Sequence, residues 1–253
     1  MTCLVLTPWW RRRTARTAPA AEEPGSCAAT PILDLHHPRV TDLVAEARRL
    51  AGRDDARSVL AAAHRLIVRR VRPVYAMNDT QPVSRTLARG RGSCSQRLAV
   101  LEAVARALGV PTRVRGLVVD GSFWYPRFPR VRFLVPRDVV LAWPEFHLPG
   151  DAGWVGASEL FGSLETLASR SPAGFTNRGS QTLFEALATT AVDWDGSLCA
   201  STGSCSAYDL SASVRTDLGR FPSRDALFTT HGQTLCPPAR LVGDTLLGHR
   251  TAA

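Results

Sequence analysis

The chain has no lysine, so all 31 of its basic residues are arginine. With 22 acidic residues the formal charge is +9, a balance that by itself would suit nucleic acid. A nucleic-acid surface, however, gathers its charge on one face and places aromatic rings between the cations. Here the arginines are scattered, apart from Arg11 to Arg13 and the pairs Arg48-Arg49 and Arg69-Arg70. That pattern argues against nucleic acid as a partner. An arginine-only basic set beside abundant alanine and glycine is what a GC-rich coding bias yields, and a bacterial chain is expected.

Other absences narrow the class. No apolar run reaches the roughly eighteen residues that a membrane-spanning helix needs, so no membrane segment is expected. Six cysteines, at positions 3, 27, 94, 199, 205 and 236, are too few and too dispersed for a disulfide-dense secreted scaffold. A secretory signal carries its positive charge ahead of a long apolar core, whereas Met1 to Thr17 places Arg11 to Arg13 behind a short one. A cytoplasmic protein with reduced thiols is expected. Cys199, Cys205, His231 and Cys236 are four soft ligands, but their spacing matches no zinc motif. Neither a metal nor another cofactor is expected.

Apolar periodicity sets out the organisation. Residues 1–30, rich in Ala, Pro, Thr and Glu from Thr14 to Ala29, read as a flexible lead-in. Leu43, Val44, Ala47 and Leu50 then share one helical face, which Gly52 closes. Asp54 or Asp55 caps a second helix carrying Val59, Leu60, Ala63, Leu66, Ile67 and Val71, and Pro73 stops it. His64 falls on that apolar stripe and reads as a packing residue. A polar stretch from Asn78 to Arg91 leads through the turn Arg89-Gly90-Arg91-Gly92 into a third helix. Its stripe is Leu98, Leu101, Val104, Ala105 and Leu108, with Gly109 and Pro111 at its end. Extended segments follow at Thr112 to Val119, Val131 to Val135, Val139 to Leu148 and Trp154 to Ala157. Helices followed by an antiparallel meander give an α+β arrangement over residues 31–161. Residues 162–253 form a C-terminal extension packed on that core, with short helices expected at Leu164 to Ala168, Thr182 to Thr189, Asp225 to Phe228 and Ala239 to Leu247. Asp193 to Ser206 reads as loop.

Chemistry concentrates at Gly90-Arg91-Gly92-Ser93-Cys94-Ser95-Gln96, which puts a cysteine in the first turn of a helix. The unpaired N–H groups and partial positive charge of a helix N-terminus favour thiolate over thiol, and the same donors can hold an oxyanion. The alternative reading of Cys94 is a small apolar residue at a tight turn. The segment Asp120 to Arg130, with Phe123, Trp124, Tyr125 and Phe128, is the most aromatic of the chain. It reads either as a cleft wall or as a loop pinned down by buried rings.

From Arg89 to Leu160 the sequence resembles the transglutaminase-like superfamily, a papain-related cysteine fold. The resemblance is carried by Gly92-Ser93-Cys94 at a helix start, by Leu108-Gly109-Val110-Pro111 at its end, and by Ala142-Trp143-Pro144-Glu145 and Gly153-Trp154 on the strands that follow. It implies a cysteine nucleophile at Cys94. It also places Leu141 at the family's catalytic histidine and Ser158 at its aspartate. Glu145 matches a family position away from the thiol. His147 and His231 are the substitute bases considered; His147 lies six residues down the strand from Leu141, roughly 20 Å when extended. His36 and His37 read as loop residues. Two functions stay open. One is cysteine-dependent acyl transfer or amide-bond processing through a thioester on Cys94, with a peptide, protein, amide or thioester substrate. The other is a catalytically degenerate binding or accessory protein. The family includes amide-bond formers, which adds natural-product tailoring as an analogy.

Overall fold

In the computed structural model, residues 23–202, 207–236, 238–240, 243 and 252 are described. Of the segment expected to be flexible, residues 1–22 lie outside them. Ser26 pairs with Thr112 through two backbone hydrogen bonds of 2.9 and 3.0 Å.

Each helix begins and ends on the chemistry that its sequence supplies. In α1 (Pro38–Ala51) proline opens the first turn, the His37 ring accepts from the Arg39 N–H, and Gly52 closes the helix at φ 70°. Asp55 caps α2 (Ala56–Arg70) by accepting from the Ser58 N–H at 2.8 Å. The polar stretch after Asn78, assigned no element from sequence, contains α3 (Val83–Arg89). The glycine turn is partly strand: β2 (Arg91–Gly92) runs parallel to β1 (Arg72–Pro73). The central helix α4 (Cys94–Ala107) is buried at every position from Gln96 to Arg106. Apolar residues alone would suit such a site, yet α4 carries Arg97, Glu102 and Arg106 there.

The sheet has the order β5–β4–β3–β6, and every pairing is antiparallel. Its strands are β3 (Thr112–Asp120), β4 (Asp138–Phe146), β5 (Val155–Gly156) and β6 (Val214–Phe221). β3 and β4 stay in unbroken register from Thr112↔Phe146 to Asp120↔Asp138. The strand expected over Val131 to Val135 is instead a 3-10 turn, Arg132–Leu134, which leaves Phe133 61% and Leu134 47% exposed. The aromatic segment winds into a second 3-10 stretch, Gly121–Arg127.

Beyond residue 162 the chain forms α5 (Leu164–Arg170), α6 (Leu183–Ala186), α7 (Ser197–Thr202), β6 and α8 (Arg224–His231). α7 occupies part of the stretch expected to be loop, and most of the helix expected over Ala239 to Leu247 lies outside the described residues. β6 had no counterpart in the sequence reading. It pairs with β3 from Val114↔Phe221 to Val119↔Val214, so this late segment completes the sheet.

Candidate active site

Cys94 is the first residue of α4. Ser93 caps the helix by accepting from the Gln96 N–H at 3.2 Å, and the Gln96 side chain accepts the Ser93 N–H at 3.1 Å. Gln96 also donates to the Asn78 carbonyl at 2.8 Å, which ties the incoming loop to the same turn. Gly92 is required sterically, since a Cβ there would stand 2.8 Å from Thr86 and 3.1 Å from the Gln96 oxygen. The Cys94 thiol is free and half-buried.

Two ionisable side chains share electrostatics with this thiol. Arg97, one turn on, is wholly buried. It donates to Thr182 at 3.2 Å and Glu185 at 3.3 Å, and lies 4.6 Å over the Phe184 ring, while its Nε has no hydrogen-bond partner. Burial holds its guanidinium below the usual arginine range, and an ionised Cys94, followed by Glu185, opposes that. Burial raises the Tyr75 phenol; the Arg127 cation works against the rise and a Cys94 thiolate adds to it. Tyr75 packs on Phe128 at 4.5 Å, so the aromatic segment walls this side. Its other rings are held down as well, with Phe123 against Trp124, Phe175 and Trp194.

The Arg224 guanidinium donates both to Ser95 and to the Ala142 carbonyl, each at 3.3 Å. Because these residues follow Cys94 and Leu141, one side chain brings the two halves of the motif together. Leu141 is buried in the apolar cluster against which Cys94, Phe123 and Trp124 pack, and no imidazole stands in its place. Ser158 is buried too, and its hydroxyl donates to the Val192 carbonyl at 3.2 Å. The positions that the resemblance assigns to histidine and aspartate are thus an apolar wall and a fastener for residue 192.

The histidines among the described residues lie elsewhere. His147 is exposed, stacks on Trp154 at 5.3 Å, and its backbone N–H donates to the Pro111 carbonyl beyond the far end of α4. The length of α4, at 1.5 Å per residue, puts it roughly 20 Å from Cys94. His64 is buried, donates to the Phe184 carbonyl at 2.7 Å and stacks on the Phe184 ring. Burial pushes its imidazole down to about 4, with the Phe184 carbonyl working the other way. His231 ends α8 with its ring 5.4 Å from Phe221, His37 caps α1, and His36 is exposed. Glu145 joins Arg113 at 2.5 Å and Arg220 at 3.0 Å, clamping β3, β4 and β6. A cleft of about 160 Å³ near Ser158 is walled by Trp143, Trp154 and Trp194; Cys94 does not line it. No group of three or more metal-ligating side chains occurs among the described residues, and Cys205 lies outside them.

The sequence singles out Cys94, whereas Arg97, Tyr75 and Arg224 come to notice only in the fold. For Arg97 a signal existed, since a charge within an otherwise apolar helix face is buried and must be answered by something.

Residues 45–158, which include Cys94, Leu141 and Ser158, match the sequence profile of the transglutaminase-like superfamily. Residues 45–158 therefore form a transglutaminase-like domain, with helices ahead of a small antiparallel sheet. Neither the curated proteins nor the solved structures gave a match. No helix among the described residues is long and apolar enough to cross a membrane.

Proposed function

We propose that this transglutaminase-like domain transfers acyl groups through a thioester on Cys94, with Arg97 as the cation that favours the thiolate. The observation that carries the reading is a half-exposed thiol at a capped helix start, one turn from a buried guanidinium whose Nε has no partner. Helix N–H groups and a neighbouring cation both lower a thiol's pKa, and the thiolate is the nucleophile. Its sulfur attacks the acyl carbonyl, a C–S bond forms, and the bond to the leaving group breaks with its electron pair going to that group. An amine or water then takes the acyl group, its proton passing to the departed anion, and the thiolate is regenerated.

The surroundings also favour one class of donor. Expelling an amine requires a general acid, usually an imidazole. His64 is engaged with Phe184 and His147 is remote, while arginine holds its proton too tightly to serve. Donors whose leaving group departs as a stable anion, thioesters above all, suit this site better than unactivated amides.

The second reading is a binding or accessory protein in which the thiol is inert. It is favoured by Leu141 in the apolar cluster and by Ser158 committed to Val192. Iodoacetamide at pH 6.5 separates the two, because exposed Cys27 is a control within the same molecule. Adducts are located by mass spectrometry, and a small acyl thioester is then offered. Acyl transfer predicts faster labelling at Cys94 than at Cys27 and an acyl adduct that Cys94→Ser abolishes. Equal labelling with no acyl adduct leaves the binding reading.

A further inference from the structure

β1 and β2 run past the start of α4, and Gly92, two residues before Cys94, pairs with Pro73. The Arg72 and Val74 N–H groups point inward to the carbonyls of Gly90 (2.9 Å) and Gly92 (3.1 Å). The Pro73 carbonyl accepts the N–H of Ala252 at 2.9 Å. The Ala252 carbonyl in turn accepts from Arg127 Nη1 at 3.1 Å and, at 3.5 Å, from the Tyr75 hydroxyl. The N–H of this residue is therefore held by the β1 backbone and its carbonyl by two side chains. Arg127 is itself fixed, by Asn177 at 2.8 Å and by the carbonyls of Gly179 and Gln181. Ala252 is only 8% exposed, so the place admits a small side chain.

We infer that Pro73, Tyr75 and Arg127 form a subsite for the backbone of one small residue of a peptide substrate beside Cys94, and that Ala252 occupies it. This rests on the reading of Cys94 as the reactive thiol only for its consequence, which is that the occupant restricts access to the sulfur. The recognised chemistry is a peptide backbone offering one N–H and one carbonyl, at a residue no larger than alanine. An acyl donor or acceptor of peptide nature would have to displace Ala252.

The test uses the full chain with Ala252→Pro, which removes the N–H that Pro73 accepts. Cys94 labelling by iodoacetamide, normalised to Cys27, should rise about fivefold, the factor that one lost backbone hydrogen bond corresponds to. A blocked peptide copying residues 249–253 should slow it again, and the same peptide with Trp in place of Ala252 should not. Unchanged labelling in Ala252→Pro, or no protection by the peptide, overturns the inference where Cys94 is reactive. If Cys94 proves inert in every variant, the nucleophile reading fails by itself. The subsite is then judged by anisotropy of the fluorescent peptide on the Ala252→Pro, Cys94→Ser chain: saturable binding keeps it, and none removes it.

Discussion

α4 buries two arginines, and its two ends treat them differently. Toward the C-terminal end Arg106 donates to Thr112 at 2.7 Å, to Ala28 at 2.8 Å and to Pro222 at 2.6 Å, beside Glu102. Arg224 reaches in from α8 and bonds the same Glu102 at 2.7 Å. Around Arg106 every donor group is answered, by residues drawn from the whole length of the chain. At the other end Arg97 has contacts of 3.2 to 3.4 Å and an unpartnered Nε. A buried polar group left short of partners is costly. The saturated cation joins elements; the undersaturated one, a turn from Cys94, keeps capacity for another anion.

The largest effect should come from breaking the saturated end. Glu102→Ala leaves two buried guanidinium groups without their shared carboxylate, which should cost about 3–5 kcal/mol in denaturant unfolding. Cys94 labelling per native molecule should stay unchanged, because the thiol belongs to the other end.

A smaller effect concerns His64, which shares the Phe184 ring with Arg97 and is also influenced by Arg65 and Glu185. Its folded pKa of about 4 lies below the ordinary 6.5, so between these values the unfolded chain binds the extra proton. Stability should therefore fall on acidification, by about 2 kcal/mol between pH 7 and pH 5. Unfolding midpoints across that range check it, and His64→Gln should flatten this component.

Next comes the poised end itself. Arg97→Met should slow Cys94 alkylation at pH 6.5 about tenfold, equivalent to about 1.4 kcal/mol. Arg97→Lys should retain most of the rate. If Met and Lys behave alike, Arg97 acts by packing alone. The least effect is expected for His147→Ala, below about 0.5 kcal/mol in stability, with alkylation unaltered.

Legibility in the sequence followed the same division. The start and end of α4 carry local signals, Ser93, Gln96, Gly109 and Pro111, and the β3–β4 pair is apolar enough to announce itself. β6 was missed because Arg215, Asp217, Gly219 and Arg220 weaken its β character. Their partners are Asp120, Asp138, Arg115 and Glu145, all distant in sequence. Val131 to Val135 misled in the opposite way. Its side chains are β-forming, but the segment winds into a 3-10 turn that leaves Phe133 and Leu134 exposed while burying Val135. Cys94 was legible from its neighbours in the sequence, whereas Arg224 meets Ser95 and Tyr75 shares electrostatics with Cys94 only in the folded chain.

The bond between Glu102 and Arg224 spans 122 residues. During synthesis at about 5–20 residues per second, Glu102 emerges roughly ten seconds before its partner. Until then α4 has a carboxylate that cannot be buried, and β3 has an open edge where β6 will pair. The helix that carries the thiol is made early but cannot settle until β6 and Arg224 have left the ribosome.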